Sequence, residues 1–121
     1  MKTVLIADDA LFMRMMLKDL LTINNFEVVG EAEDGMEAVD KYRELRPDLI
    51  ILDVLMPRLD GLSAAKKILE LDPFARVVML SAMGQTDFLD QAREIGVSDY
   101  IRKPFSPPRV VKTLNDILSR Q

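Results

Sequence analysis

The chain contains no cysteine and no histidine. Without thiols there is no disulfide framework, no thiolate metal centre and no cysteine nucleophile. Without imidazole the commonest general base and the commonest transition-metal ligand are both missing. Any metal held here must be held by oxygen. Long apolar runs are lacking too. None approaches the roughly 18 residues that cross a bilayer. No secretory signal opens the chain, because only Val4 to Ala7 follow Lys2 and Thr3 before two acids. There is no excess of basic residues; the formal net charge of −4 argues against a nucleic-acid surface. These absences predict a soluble cytoplasmic protein with neither a membrane nor a nucleic-acid partner. What is present is ordinary globular composition, with 49% hydrophobic and 30% charged residues in a chain of 121. That is enough for one domain, 1–121, with one core.

Thr3-Val4-Leu5-Ile6-Ala7 reads as a buried strand ending in Asp8-Asp9. Leu11 to Ile23 reads as a helix with Met13, Met16, Leu17, Leu20 and Leu21 inward, broken by Asn24-Asn25. Phe26 to Val29 is a weaker, more exposed strand, and Glu31 to Asp34 reads as a solvated acidic turn. Asp34-Gly35 opens a second helix with the stripe Met36, Val39, Tyr42 and Leu45, closed before Pro47. Leu49 to Leu52 is a fully buried strand with Asp53 at its end, stopped by Pro57. Asp60-Gly61 starts a third helix with Leu62, Ala65, Ile68 and Leu69 inward. After Asp72-Pro73, Val77 to Leu80 is a second fully buried strand, ending in Ser81. The pattern predicts a fourth helix over Gln85 to Ile95 with Phe88, Leu89, Ala92 and Ile95 on one side, and Gly96 as a left-handed C-terminus. Asp99-Tyr100-Ile101 is a short strand running into Arg102-Lys103-Pro104. Ser106 caps a last helix with Pro107 in its first turn and apolar residues at 110, 111, 114, 117 and 118. The eight methionines read as flexible core filler, with a docking face on the first helix as the alternative.

Five strand–helix units joined by short loops predict an α/β protein. Its parallel sheet lies between two helical layers, joined by right-handed crossovers. In such a sheet the carboxyl ends of the strands share one edge, where ligands bind. Asp8-Asp9, Asp53, Ser81 and Lys103 stand at those ends. Any one of the acids alone would read as a helix N-cap, Ser81 as a turn residue and Lys103 as a solvated lysine. Capping does not account for two adjacent acids together with a lysine. Clustered carboxylates repel and call for counter-charge. Lys103 supplies one charge, and a divalent cation would supply two more. A sparse all-oxygen site suits Mg²⁺ better than Ca²⁺. A cation, a lysine and a hydroxyl would stabilise a transferring phosphoryl group, and a carboxylate beside them is a competent nucleophile.

The set Asp8-Asp9, Asp53, Ser81-Ala82 and Lys103-Pro104, with Asp53-x-x-Met56-Pro57-x-x-Asp60-Gly61, resembles the receiver domain of two-component response regulators along essentially the whole chain. The resemblance implies a flavodoxin-like doubly wound (βα)5 fold with strand order 2-1-3-4-5, the order of flavodoxin and CheY themselves. It implies that Asp53 accepts a phosphoryl group from a sensor histidine kinase. Mg²⁺ would be held by Asp8, Asp9, Asp53 and the backbone carbonyl of Leu55. Lys103 would pair with Asp53 and then with the phosphoryl group, to which Ser81 donates a hydrogen bond. Lys103-Pro104 would be a cis peptide. Ser81 and Tyr100 would form the switch, read out on a partner face of the fourth helix, fifth strand and fifth helix that includes Gln85, Phe88, Tyr100 and Arg102.

The runs Ser81-Ala82-Met83-Gly84-Gln85 and Phe12-Met13-Arg14-Met15-Met16-Leu17 are similar to single-domain chemotaxis receivers, CheY-like proteins of the thermophile and Gram-positive type. This implies a stand-alone, monomeric receiver. Its partners would be a CheA-like kinase and, further along, a flagellar switch protein or a phosphatase. Bulky Leu55 and Met83 beside the site predict slow self-dephosphorylation rather than enzymatic turnover. A regulator of a different relay is the alternative. An aspartyl-phosphate phosphatase of the haloacid-dehalogenase kind would need an acid where Leu55 stands. A flavin carrier would need a hydroxyl-rich phosphate loop where Asp8-Asp9-Ala10 stands.

Overall fold

Side chains on the inner strands alternate between two cores, one on each side of the sheet. In the computed structural model, which describes residues 1–82 and 87–120, the strands are β1 (Lys2–Ala7), β2 (Phe26–Ala32), β3 (Leu49–Asp53), β4 (Val77–Ser81) and β5 (Asp99–Arg102). The helices are α1 (Leu11–Ile23), α2 (Gly35–Leu45), α3 (Gly61–Leu71), α4 (Leu89–Ile95) and α5 (Pro107–Leu118). All strand pairs are parallel, in the order β2-β1-β3-β4-β5. The fold is therefore the three-layer, flavodoxin-like arrangement expected. Leu5, Ala7, Ile50, Leu52, Val77 and Met79 face a core closed by α2, α3 and α4. Val4, Ile6, Leu49, Ile51, Val78 and Leu80 face a second core closed by α1 and α5. Every residue of β3 and β4 is buried, as strands covered on both faces must be. None of the described helices is long and apolar enough to cross a membrane.

The helix ends follow local chemistry. Asp34, Asp60 and Ser106 each accept a hydrogen bond from the backbone amide three residues on, capping α2, α3 and α5. Gly96 closes α4 at φ 100°, in the left-handed region. At the amino edge of the sheet, the Asp48 carboxylate accepts from both the amide and the hydroxyl of Thr3. The Thr3 hydroxyl in turn accepts from the Asp48 amide.

Several expectations need correction. β2 runs on to Ala32 past an extra residue, Val29, where the β1 pairing shifts from Val4–Val28 to Leu5–Gly30. Glu31 therefore belongs to an edge strand and pairs with Arg14 and Lys18, rather than lying in a solvated turn. On α1 the inward stripe is Arg14, Leu17, Leu20 and Leu21, whereas Met16 is 39% exposed. On α2 the buried face is Gly35, Ala38, Val39 and Tyr42, and both Met36 and Leu45 are exposed at its margins. α4 begins at Leu89, after a turn at Asp87–Phe88, later than its apolar spacing suggested. Gln85 and Met83 lie outside the described residues.

Candidate functional site

Strand register brings the acids together. Ala7 of β1 pairs with Leu52 of β3, so the next residue on each strand, Asp8 and Asp53, emerge side by side at the carboxyl edge. β4 lies between β3 and β5. Lys103 follows β5, joined to Pro104 by a cis peptide, and its amide donates to the Ser81 carbonyl at 2.6 Å. From there its side chain crosses the end of β4. Lys103 Nζ stands 3.1 Å from Asp8 Oδ2 and 3.3 Å from Asp53 Oδ2. Asp8 is fully buried, Asp53 is 8% exposed, and Asp9 is open to solvent. One carboxylate oxygen from each of Asp8, Asp9 and Asp53 lies within 4.8 Å of the others.

The electrostatics follow from this geometry. Burial, and then the neighbouring Asp8 charge, push the Asp53 carboxyl above the ordinary carboxylate range, against the pull of Lys103 and the Leu55 amide. Burial disfavours the Lys103 ammonium, but the Asp53 and Asp8 carboxylates outweigh it and hold the lysine above its ordinary value. Lys103 Nζ reaches two of the three carboxylates, so the cluster carries more negative than positive charge. The donors are all hard oxygens. Their spread is comparable with the roughly 4.2 Å between opposite oxygens around Mg²⁺. This donor set fits a small divalent cation. Leu55 follows β3 with its side chain 61% exposed, and its amide hydrogen-bonds the Asp53 carboxylate.

Backbone contacts brace the acceptor from beneath. The Gly61 amide donates to the Val54 carbonyl at 2.8 Å. A Cβ at position 61 would stand 1.9 Å from the Asp53 carbonyl oxygen, so only glycine lets α3 approach β3 this closely. Gly61 thus does more than start a helix. Gly35 plays the same part for the loop after β3, where a Cβ would meet the Leu59 carbonyl at 2.0 Å. Arg58 Nη1 bonds the Asp34 carboxylate across the same junction at 3.2 Å.

The remaining candidate residues divide. Ser81 is buried at the end of β4, 2% exposed, one residue past Leu80, the register partner of Asp53. Tyr100 is exposed on β5, with Arg102 also exposed two residues on. Phe88 was expected on the partner face, but it is 7% exposed and packed in the core under α3 and α4. Arg14 was not among the candidates. It lies buried on α1 with its guanidinium Nη1 2.7 Å from the Asp8 carbonyl oxygen and its Nε 3.1 Å from Glu31 Oε1. The available signal was a charged residue on an otherwise apolar helical face, at 14, 17 and 21.

Known proteins resemble this chain over most of its length. The model of the response regulator receiver domain matches residues 4–115. The chemotaxis protein CheY of Thermotoga maritima is 51% identical over 116 residues, 96% of this chain and 97% of that protein. The chemotaxis protein CheY of Bacillus subtilis is 50% identical over 116 residues, 96% of this chain and 97% of that protein. Among solved structures, a chain of the CheX–CheY–BeF3–Mg²⁺ complex from Borrelia burgdorferi superposes with a TM-score of 0.94 at 32% identity, covering 98% of this chain and 90% of that one.

Proposed function

The chain belongs to the response regulator receiver family, and from that membership we propose that Asp53 is its phosphoacceptor in a chemotaxis relay. The observation that carries the reading is one ammonium, Lys103 Nζ, bound to two buried carboxylates at 3.1 and 3.3 Å, with Asp9 in reach of the same point. Asp8, Asp9, Asp53 and the Leu55 carbonyl would hold Mg²⁺. Bound there, the cation supplies positive charge against the oxygens of the transferring phosphoryl group. An Asp53 carboxylate oxygen attacks the phosphorus of a phosphohistidine on a CheA-like sensor kinase. The O–P bond forms, the P–N bond breaks, and its electron pair stays on the imidazole nitrogen, which takes a proton from solvent. Lys103 then pairs with a phosphoryl oxygen, and the Ser81 hydroxyl donates to another.

Such an acyl phosphate is a signal rather than a turnover intermediate. With Leu55 at its rim it should decay slowly. Ser81 moving toward the phosphoryl group and Tyr100 turning inward would change the face formed by α4, β5 and α5, including Gln85 and Arg102, with Phe88 packed behind it. A flagellar switch protein or a phosphatase would read that face. The complex of CheX with CheY is a precedent in a similar protein. The composition fits a cytoplasmic protein, and the likeness to single-domain receivers favours a monomer.

The test is incubation with a small phosphodonor, with and without Mg²⁺, followed by intact mass. A Mg²⁺-dependent gain of one phosphoryl group, lost in Asp53→Asn, is expected. No adduct on the wild type, or an undiminished adduct in the variant, overturns the reading.

A further inference from the structure

Among the described residues Arg14 is the one buried basic side chain. Its position on α1 shares a face with Leu17 and Leu21, so an apolar side chain there would join the core without desolvating a charge. A buried guanidinium is tolerated only when its donors are met. Here three donors meet three acceptors: Nη1 to the Asp8 carbonyl at 2.7 Å, Nε to Glu31 at 3.1 Å and Nη2 to Glu33 at 3.4 Å. The first of these bears on the site. The Asp8 carbonyl belongs to the peptide plane that joins Asp8 to Asp9.

The other polar groups of Asp8 are also engaged. Its amide donates to the Ala32 carbonyl at 3.0 Å. Its Oδ1 accepts from the Ala10 amide at 2.9 Å and its Oδ2 from Lys103 at 3.1 Å. Arg14 supplies the remaining restraint, on the carbonyl, and does so from a helix locked into the core. The two carboxylates of Asp8 and Asp9 hang from opposite ends of that plane. If the plane rotates, the donor oxygens separate.

We propose that Arg14 is a positioning residue for the cation site, fixing the Asp8–Asp9 peptide so that both carboxylates converge before any cation arrives. The inference rests on the cation reading given above. Glu31 and Glu33 face the guanidinium and offset its charge, so its action on the site is geometric rather than repulsive.

Mg²⁺ titration into the metal-free protein, followed by calorimetry, tests this. Arg14→Met should weaken Mg²⁺ binding by roughly tenfold, the lower range for loss of a group that orients a metal ligand. Arg14→Lys keeps the charge but not the fork, and should weaken binding nearly as much. It also decides the matter if Arg14→Met does not fold. Glu33→Gln leaves the Asp8 contact in place and should bind as wild type does. In the metal-free Arg14→Lys protein, the Ala10 amide should exchange with solvent faster while the amides of β3 keep wild-type rates.

If the guanidinium acts only through its charge, Arg14→Met would bind Mg²⁺ more tightly and Arg14→Lys would match wild type. Either result, or an unchanged Ala10 exchange rate, overturns the inference. A wild type that takes up no Mg²⁺ overturns the cation reading itself. A binding wild type with an indifferent Arg14→Lys overturns only the role given to Arg14.

Discussion

Asp8 and Asp53 are both buried, and among the described residues only Lys103 forms an ion pair with them. The metal-free protein therefore carries a local repulsion. Removing one charge without changing shape should relieve it. Asp53→Asn is expected to stabilise the metal-free protein by about 1 kcal/mol, a modest figure because the site is open on the Asp9 side. Urea unfolding without divalent ions checks this, and a lower midpoint for the variant would contradict it. Leu55 stands at the rim of the same site with an exposed side chain. Leu55→Asn should speed loss of the phosphoryl group several-fold by admitting and orienting the attacking water, as followed by the decay of the adduct mass. The acids and the hydroxyl were legible in the sequence because each ends a strongly apolar strand, and the lysine because it follows the last short strand of the alternation. Arg14 was not, because a charged residue on an apolar stripe looks like a gap in the stripe until its acceptors are known.

The elements differ in how openly they declare themselves. β1, β3 and β4 are apolar runs with sharp ends, and α1 and α5 have regular stripes, so their limits fall within a residue or so of expectation. β2 is an edge strand with Gly30 and Glu31 in its second half, and neither residue favours a strand by itself. Its extension depends on pairing with β1 across the shift at Val29. Gly61 shows the reverse: a familiar helix-start dipeptide hides a tertiary constraint. Gly61→Ala should cost about 3 kcal/mol, because the Asp53 carbonyl must move to admit the methyl group. It should also slow phosphoryl transfer to Asp53, which urea unfolding and adduct formation would register separately. At the opposite edge, hydrogen bonds from Thr3 hold the Asp48 carboxyl below the ordinary carboxylate range. A depressed folded value means that the unfolded chain binds protons first as pH falls. The contribution is whole above the unfolded value of about 3.9 and is lost as pH falls through the folded value. Asp48→Asn should therefore cost about 1 kcal/mol at pH 7 and little in strong acid, measured by urea unfolding at both pH values.

At the scale of the whole molecule, a cation that binds only the folded chain stabilises it by mass action. At a hundred times its Kd, Mg²⁺ should add about 2.7 kcal/mol and raise Tm. The gain should vanish in Asp9→Ala, whose carboxylate is solvent-exposed and free of fold-supporting contacts among those described. A Tm indifferent to Mg²⁺ would contradict this. The sheet also constrains how the chain can change in length. Because successive residues of β3 serve opposite cores, deleting one residue before Asp53 would exchange the two faces and turn the acceptor away from Asp8 and Lys103. The strands thus act as counted lengths, and insertions are confined to places where nothing is counted. The turn between α3 and β4, where Phe74 is 91% exposed, is such a place. It lies at the far end of the sheet from the acids, so a peptide tag or a fluorescent label could be spliced there while the phosphoacceptor edge keeps its geometry.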